Sequence, residues 1–184
     1  MTRQTKRPWP SFAMKIAGVQ ILGAMIAVLL GIGVHFVRTR NHLTEVFGQR
    51  LQAIAATAAV QLSGELGDLH DQMRTDSDLG SESWRRWRDA LLAIREANGL
   101  SEDLYTFRPG EGDGSLMFVA RSYDRPGEHA GPFIGEPYTS VDPGQREVID
   151  AAVVEGSPGV TCIYSDNLSD RRWISAYAPV RDSS

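Results

Sequence analysis

The stretch Asp103–Tyr123, DLYTFRPGEGDGSLMFVARSY, is where the chain changes its periodicity. Aromatic and β-branched residues flank a run of three glycines and a proline, the pattern of strand, turn and strand. We expect strands over 103–107 and 115–122, with RPGEGDGS as the hairpin turn. The glycines at 110, 112 and 114 join two strands and open no helix, so they do not read as a phosphate cradle. N-terminal to this stretch the apolar residues repeat at three or four positions, and C-terminal to it the segments are mostly short and extended.

Working toward the N-terminus, Ser83–Asn98 reads as an amphipathic helix. Ser81 or Ser83 is its cap, Asn98-Gly99 its stop, and Trp84, Trp87, Leu91, Leu92 and Ile94 its apolar face. Arg85, Arg86 and Arg88 form a solvated basic face. Residues 74–82 are a polar loop. Asp76, Asp78 and Gly80 resemble a calcium loop in part, but the sixth position is Ser81 and the twelfth Trp87, which excludes an EF-hand. Before the loop, Leu43, Phe47, Leu51, Ile54, Ala58, Leu62, Leu66, Leu69 and Met73 form one stripe, which predicts a single helix over 41–73.

Residues 16–37, IAGVQILGAMIAVLLGIGVHFV, carry no formal charge unless His35 is protonated. As a helix they span roughly 33 Å, enough for a bilayer core of about 30 Å. The run is too long for a signal peptide, and HFVR at 35–38 is a poor cleavage site. We therefore expect a single membrane span. Four Lys or Arg precede it and two follow, which places residues 1–15 in the cytoplasm and 41–184 outside it. Gly23, Ala27 and Gly31 recur every four residues. They read either as a ridge for helix pairing in a homodimer or as the ordinary small residues of membrane helices.

The charge is just as asymmetric. Residues 1–40 hold six Lys or Arg and no acid, +6; residues 41–184 hold 13 Arg and all 23 acids, 13 − 23 = −10. An acidic domain is a poor partner for phosphate backbones, so nucleic-acid binding is excluded.

On the other side of the central hairpin, 131–140 reads as an extended piece. Residues 142–156 read as a short helix with Asp142 at the cap, Pro143 in the first turn and Gly156 at the stop. Strands are expected over 159–165 and 172–180, with Pro179 marking an edge or bulge. Cys162, the one cysteine, sits in an apolar run and reads as a small hydrophobe without redox chemistry. Asn167-Leu168-Ser169 fits a glycosylation triplet, a pattern short enough to arise by chance.

No chemistry-bearing constellation emerges. The four histidines, His35, His42, His70 and His129, have no zinc-type spacing, and Asp68 and His70 point to different faces of a helix. There is no GxxxxGK[ST] and no GxSxG. We expect no metal, no cofactor and no catalytic site.

The order of elements resembles the periplasmic or extracellular sensor domains of bacterial transmembrane signalling receptors, of the Cache or PAS-like type. Three stretches carry the likeness: the hairpin DLYTFRPGEGDGSLMFVARS, the crossover IGEPY with QREVIDAAVVEGSPGVTCIYSD, and the strand RRWISAYAPVRDSS. The resemblance implies an α+β fold, a membrane helix continuing into a long helix and then an antiparallel sheet with flanking helices. It also implies that the chain stops before the last strand, the second membrane helix and the output module (a histidine kinase, nucleotide cyclase, phosphatase or chemoreceptor rod). A small ligand would lie against the sheet, lined by Tyr105, Phe118, Arg121, Tyr138, Tyr164, Trp173 and Tyr177, with Arg121 offering charge to a carboxylate. Each of these seven also reads as ordinary core or edge. The alternative is a stand-alone membrane-anchored interaction protein that captures a partner at its sheet edge.

Overall fold

The computed structural model describes residues 12–74, 80–110, 115–122, 134–138, 142–165 and 172–183. Asp76, Asp78, Gly112, Gly114, His129 and the triplet at 167–169 lie outside them, as do 131–133 and 139–140 of the extended piece. Within the described residues the fold is α+β, helices with small antiparallel sheets. In chain order the elements are α1 (Phe12–Leu62), α2 (Glu65–Gln72), α3 (Glu82–Ala97), β1 (Tyr105–Pro109), β2 (Leu116–Arg121), β3 (Pro137–Tyr138), α4 (Pro143–Asp150), β4 (Gly159–Val160), β5 (Tyr164–Ser165), β6 (Arg172–Trp173) and β7 (Ala176–Tyr177).

Contacts divide the chain into Met1–Val46 and Phe47–Ser184. The described part of the first unit is helical, and its large apolar side chains are exposed, from 43% at Ile16 to 79% at Phe12. Among the described residues this one helix is long and apolar enough to cross a membrane. Gly23 and Gly31 have open space around them, and Ala27 is likewise exposed.

The second unit is built around one apolar core. Leu62, Met73, Trp87, Leu91, Ile94, Val119 and Ala120 are buried together, with Leu66, Leu69, Leu104 and Val180 packed on them. Trp87 is fully buried, its indole N–H donating to the Leu66 carbonyl at 2.6 Å and its ring 4.8 Å from that of His70. On α3, Ser81 accepts the Trp84 N–H and Asn98-Gly99 closes the helix, with Gly99 at φ 62°, as its local sequence signals. Asp103 joins α3 to β2: its carboxylate meets Arg95 at 3.2 Å and Arg121 at 3.1 Å.

The single helix expected over 41–73 is broken. α1 ends at Leu62 and α2 starts at Glu65, with Gly64 at φ 77° between them. Ser63 Oγ bonds back to the Ala59 carbonyl, and glycine alone takes this backbone conformation without strain. The break was silent in the hydrophobic pattern because Leu62, Leu66, Leu69 and Met73 all still reach the core.

Among the described residues the strands also form more than one sheet. β1, β2 and β3 form a three-stranded antiparallel sheet in that order, while β4 pairs β7 and β5 pairs β6. Both hairpins carry a one-residue offset. In the first, Thr106 faces Ala120 but Phe107 faces Phe118, so Val119 is the extra residue. In the second, Val160 faces Ala176 and Tyr164 faces Trp173, which leaves three residues on one strand against two on the other. Thr161 pairs through its backbone with Ser175. Cys162 and Ile163 therefore oppose Ile174 alone, and both are exposed. Cys162, read as a small hydrophobe, is exposed: it follows the buried Thr161 and faces the other way, and the offset adds Ile163 to the exposed side.

Candidate functional site

α4 is the element that organises the site. Asp142 caps it, its carboxylate accepting the Gln145 N–H at 3.0 Å, and Pro143 sets the first turn. The helix widens into one π turn over Ala151–Glu155 and stops at Gly156, φ 66°. Gln145, Ile149 and Ala152 are the buried positions, spaced four and three apart on one face. Gln145 is the polar member of that stripe and only 5% exposed.

Its amide nitrogen lies 2.5 Å from the hydroxyl of Tyr138, 2.9 Å from that of Tyr164 and 2.7 Å from that of Tyr177. An amide nitrogen carries two hydrogens, so three oxygens share two donors. The hydroxyls also meet one another and their neighbours. Tyr164 is 2.8 Å from Ser175 Oγ, and the Tyr138 and Tyr177 oxygens are 3.5 Å apart. The offset hairpin holds Ser175 in place. Thr161 Oγ1 accepts the Ser175 N–H at 3.0 Å, and the Thr161 N–H donates to the Ser175 carbonyl at 2.8 Å.

Aromatic rings surround this polar centre. Phe107 and Phe118 are cross-strand partners, their ring centroids 4.9 Å apart. Phe107 lies 4.7 Å from Tyr138 and 6.5 Å from Tyr177, and Phe118 meets Tyr138 edge-on at 5.4 Å. Such ring pairs contribute about 0.5–1.5 kcal/mol each beyond burial. Residues from β3, β5 and β7 thus converge on the amide of one helix, and rings from β1 and β2 pack around them.

Of the seven residues expected to line a ligand site, Phe118, Tyr138, Tyr164 and Tyr177 are brought together here. Tyr105 extends the set at 5.8 Å from Phe118, and Arg121 stacks 5.8 Å from the Tyr105 ring. Partial burial pushes the Tyr105 phenol pKa up, opposed by Arg121 and reinforced by Asp103 and Glu102. Arg121 stands at this rim, ion-paired to Asp103. Trp173 is the cross-strand partner of Tyr164. Sequence reasoning missed Gln145, Phe107 and Ser175. Gln145 had a visible signal, a polar side chain in phase with Ile149 and Ala152.

Phenol, hydroxyl, amide and ring faces make a neutral, hydrogen-bonding centre with apolar walls, the make-up of small-molecule sites. Among the described residues no cluster of His, Cys, Asp or Glu could hold a metal ion. A separate groove of about 620 Å³ runs between α1 and α3, lined by Ala53, Ile54, Ala58, Ala90 and Ala93, with Arg50 at its edge. No protein-family model, curated protein or solved structure matches the chain.

Proposed function

We propose that the chain is the extracytoplasmic input domain of a membrane-bound bacterial signalling protein of the Cache or PAS-like type, that it takes a small neutral ligand at the Gln145 cluster, and that it signals through α1. The observation that carries this reading is the convergence of Tyr138, Tyr164 and Tyr177 on one buried amide, with Phe118 packed edge-on against Tyr138. Buried polar groups cost stability unless they are satisfied, and a hydrogen-bonding centre walled by rings is how proteins recognise small molecules.

Two further features support it. α1 contains both the apolar membrane run and Leu62, a member of the core, within one helix. The basic N-terminal flank favours a cytoplasmic N-terminus and export of the rest to the periplasm or cell exterior. In the membrane, Gly23, Ala27 and Gly31 provide the ridge through which two copies pair. The chain itself takes the role of a receptor and not of an enzyme; catalysis would belong to an output module.

The test is a thermal-shift screen of the full chain in nanodiscs against a panel of neutral metabolites and their carboxylate analogues. A ligand at 100 times its Kd adds about 2.7 kcal/mol to stability, a shift of several degrees. We expect a neutral hit whose shift is lost in Tyr177→Phe. If no compound shifts the transition, or the shift survives Tyr177→Phe, ligand sensing at this site is refuted. The stand-alone anchored interaction protein is then the better reading.

A further inference from the structure

The last described residues do more than end a hairpin. We infer that residues 178–183 form a strap that couples the Gln145 cluster to the junction of α1 and α2, so that a change at the cluster alters how firmly that junction is held. As a device for ligand signalling the strap rests on the proposed sensor function; the coupling itself can be measured without any ligand.

The strap follows directly on Tyr177, whose hydroxyl is one of the three around Gln145. Three residues later Val180 packs against the core. Arg181 then bonds the junction twice through its backbone. Its N–H donates to Ser63 Oγ and its carbonyl accepts the Gly64 N–H, both at 3.0 Å. Ser63 and Gly64 are the two residues that interrupt the helix, where backbone groups lose their helical partners. Arg181 thus supplies what the break removes. Two residues on, Ser183 donates its N–H and its hydroxyl to the two Asp68 oxygens, at 3.0 and 2.7 Å.

Gly67 gives independent support. It lies inside α2, where alanine would be favoured by about 1 kcal/mol. Its backbone is not in the left-handed region, so glycine is not there for conformation. A Cβ at Gly67 would collide with the Arg181 carbonyl and stand 3.1 Å from the Asp182 Cα. The glycine makes room for the strap. At its other face the Arg181 guanidinium lies beside Gly156, the stop of the helical segment that carries Gln145; a Cβ there would meet Nη2 at 3.3 Å. One residue therefore touches the α1–α2 junction with its backbone and the end of the α4 segment with its side chain.

The experiment is amide hydrogen exchange on the full chain in nanodiscs, read at Ser63 and Gly64 with α3 as the internal reference. Gly67→Ala should displace the strap and speed exchange at Gly64 about tenfold, leaving α3 unchanged. Tyr177→Phe, which alters only the cluster, should speed Gly64 exchange severalfold. The double variant should exchange no faster than Gly67→Ala alone, because both act through one strap. If Gly67→Ala does not fold, Ser183→Ala takes its place with a smaller effect. The coupling is refuted if Tyr177→Phe leaves Gly64 unchanged, or if the two effects multiply as for independent sites. A failed ligand screen counts against sensing alone, and unchanged Gly64 exchange in Tyr177→Phe counts against the strap alone.

Discussion

Replacing Gln145 with leucine removes both amide hydrogens while nearly keeping the shape. Three tyrosine hydroxyls at 2.5–2.9 Å then lose their shared donor. Each net hydrogen bond contributes about 1 kcal/mol, and a buried polar group left unsatisfied costs about 1–3 kcal/mol. The loss is partly offset. Tyr164 keeps Ser175 Oγ, Tyr138 and Tyr177 have each other at 3.5 Å, and the leucine gains apolar burial. The balance is a destabilisation of about 2 kcal/mol, near thirtyfold in the folded-to-unfolded ratio. The assay is denaturant unfolding of the full chain in detergent micelles, followed by the fluorescence of its four tryptophans, of which Trp87 is fully buried. If Gln145→Leu is as stable as the parent to within about 0.5 kcal/mol, the amide does not organise the cluster.

Three further outcomes are expected. The two hydrogen bonds from Ser183 hold the Asp68 carboxyl below its ordinary 3.8. Their stabilisation is complete above that ordinary value and is lost as pH falls through the lowered one. The Ser183 amide resonance should therefore titrate below pH 3.8 and stay flat in Asp68→Asn; a midpoint at or above 3.8 would contradict the contact. Trp87→Ala should cost about 3–5 kcal/mol and Trp87→Phe clearly less, both read by denaturant midpoint. A loss under about 1 kcal/mol for the alanine variant would mean that the core is not centred on this residue. Cys162 should react with a water-soluble maleimide without prior unfolding, and an impermeant reagent on intact cells should reach it from outside. Labelling only after lysis would reverse the proposed orientation.

Much of the local structure was legible because it rests on local chemistry. The caps at Ser81 and Asp142, the stops at Asn98-Gly99 and Gly156, and the buried face of α3 follow from neighbouring residues alone. The break at Ser63–Gly64 was not, because the three-to-four spacing continues across it and the core receives both helices. Three of the seven expected site residues converge on one amide and a fourth, Phe118, packs against one of them, since ring-bearing strand positions announce themselves. Phe107 stands in the same hairpin and was passed over, although the register makes it the partner of Phe118. The pairing of Arg121 with Asp103 joins residues 18 apart, and the strap joins residues 115 to 118 apart. Contacts so distant in sequence leave no periodic trace.

The two hairpin offsets have a shared consequence for how this domain tolerates change. A regular strand alternates, so sensitive and permissive positions should interleave. Each offset shifts that parity by one, and it does so in opposite senses. In β2 it sends two consecutive residues, Val119 and Ala120, into the core. In the second hairpin it sends two consecutive residues, Cys162 and Ile163, out to solvent. Saturation mutagenesis would therefore record a doublet of intolerant sites in one hairpin and a doublet of indifferent sites in the other. Deleting Val119 would regularise the ladder with its neighbours still facing as before, and yet be harmful, because it removes one of the most deeply buried side chains of the core.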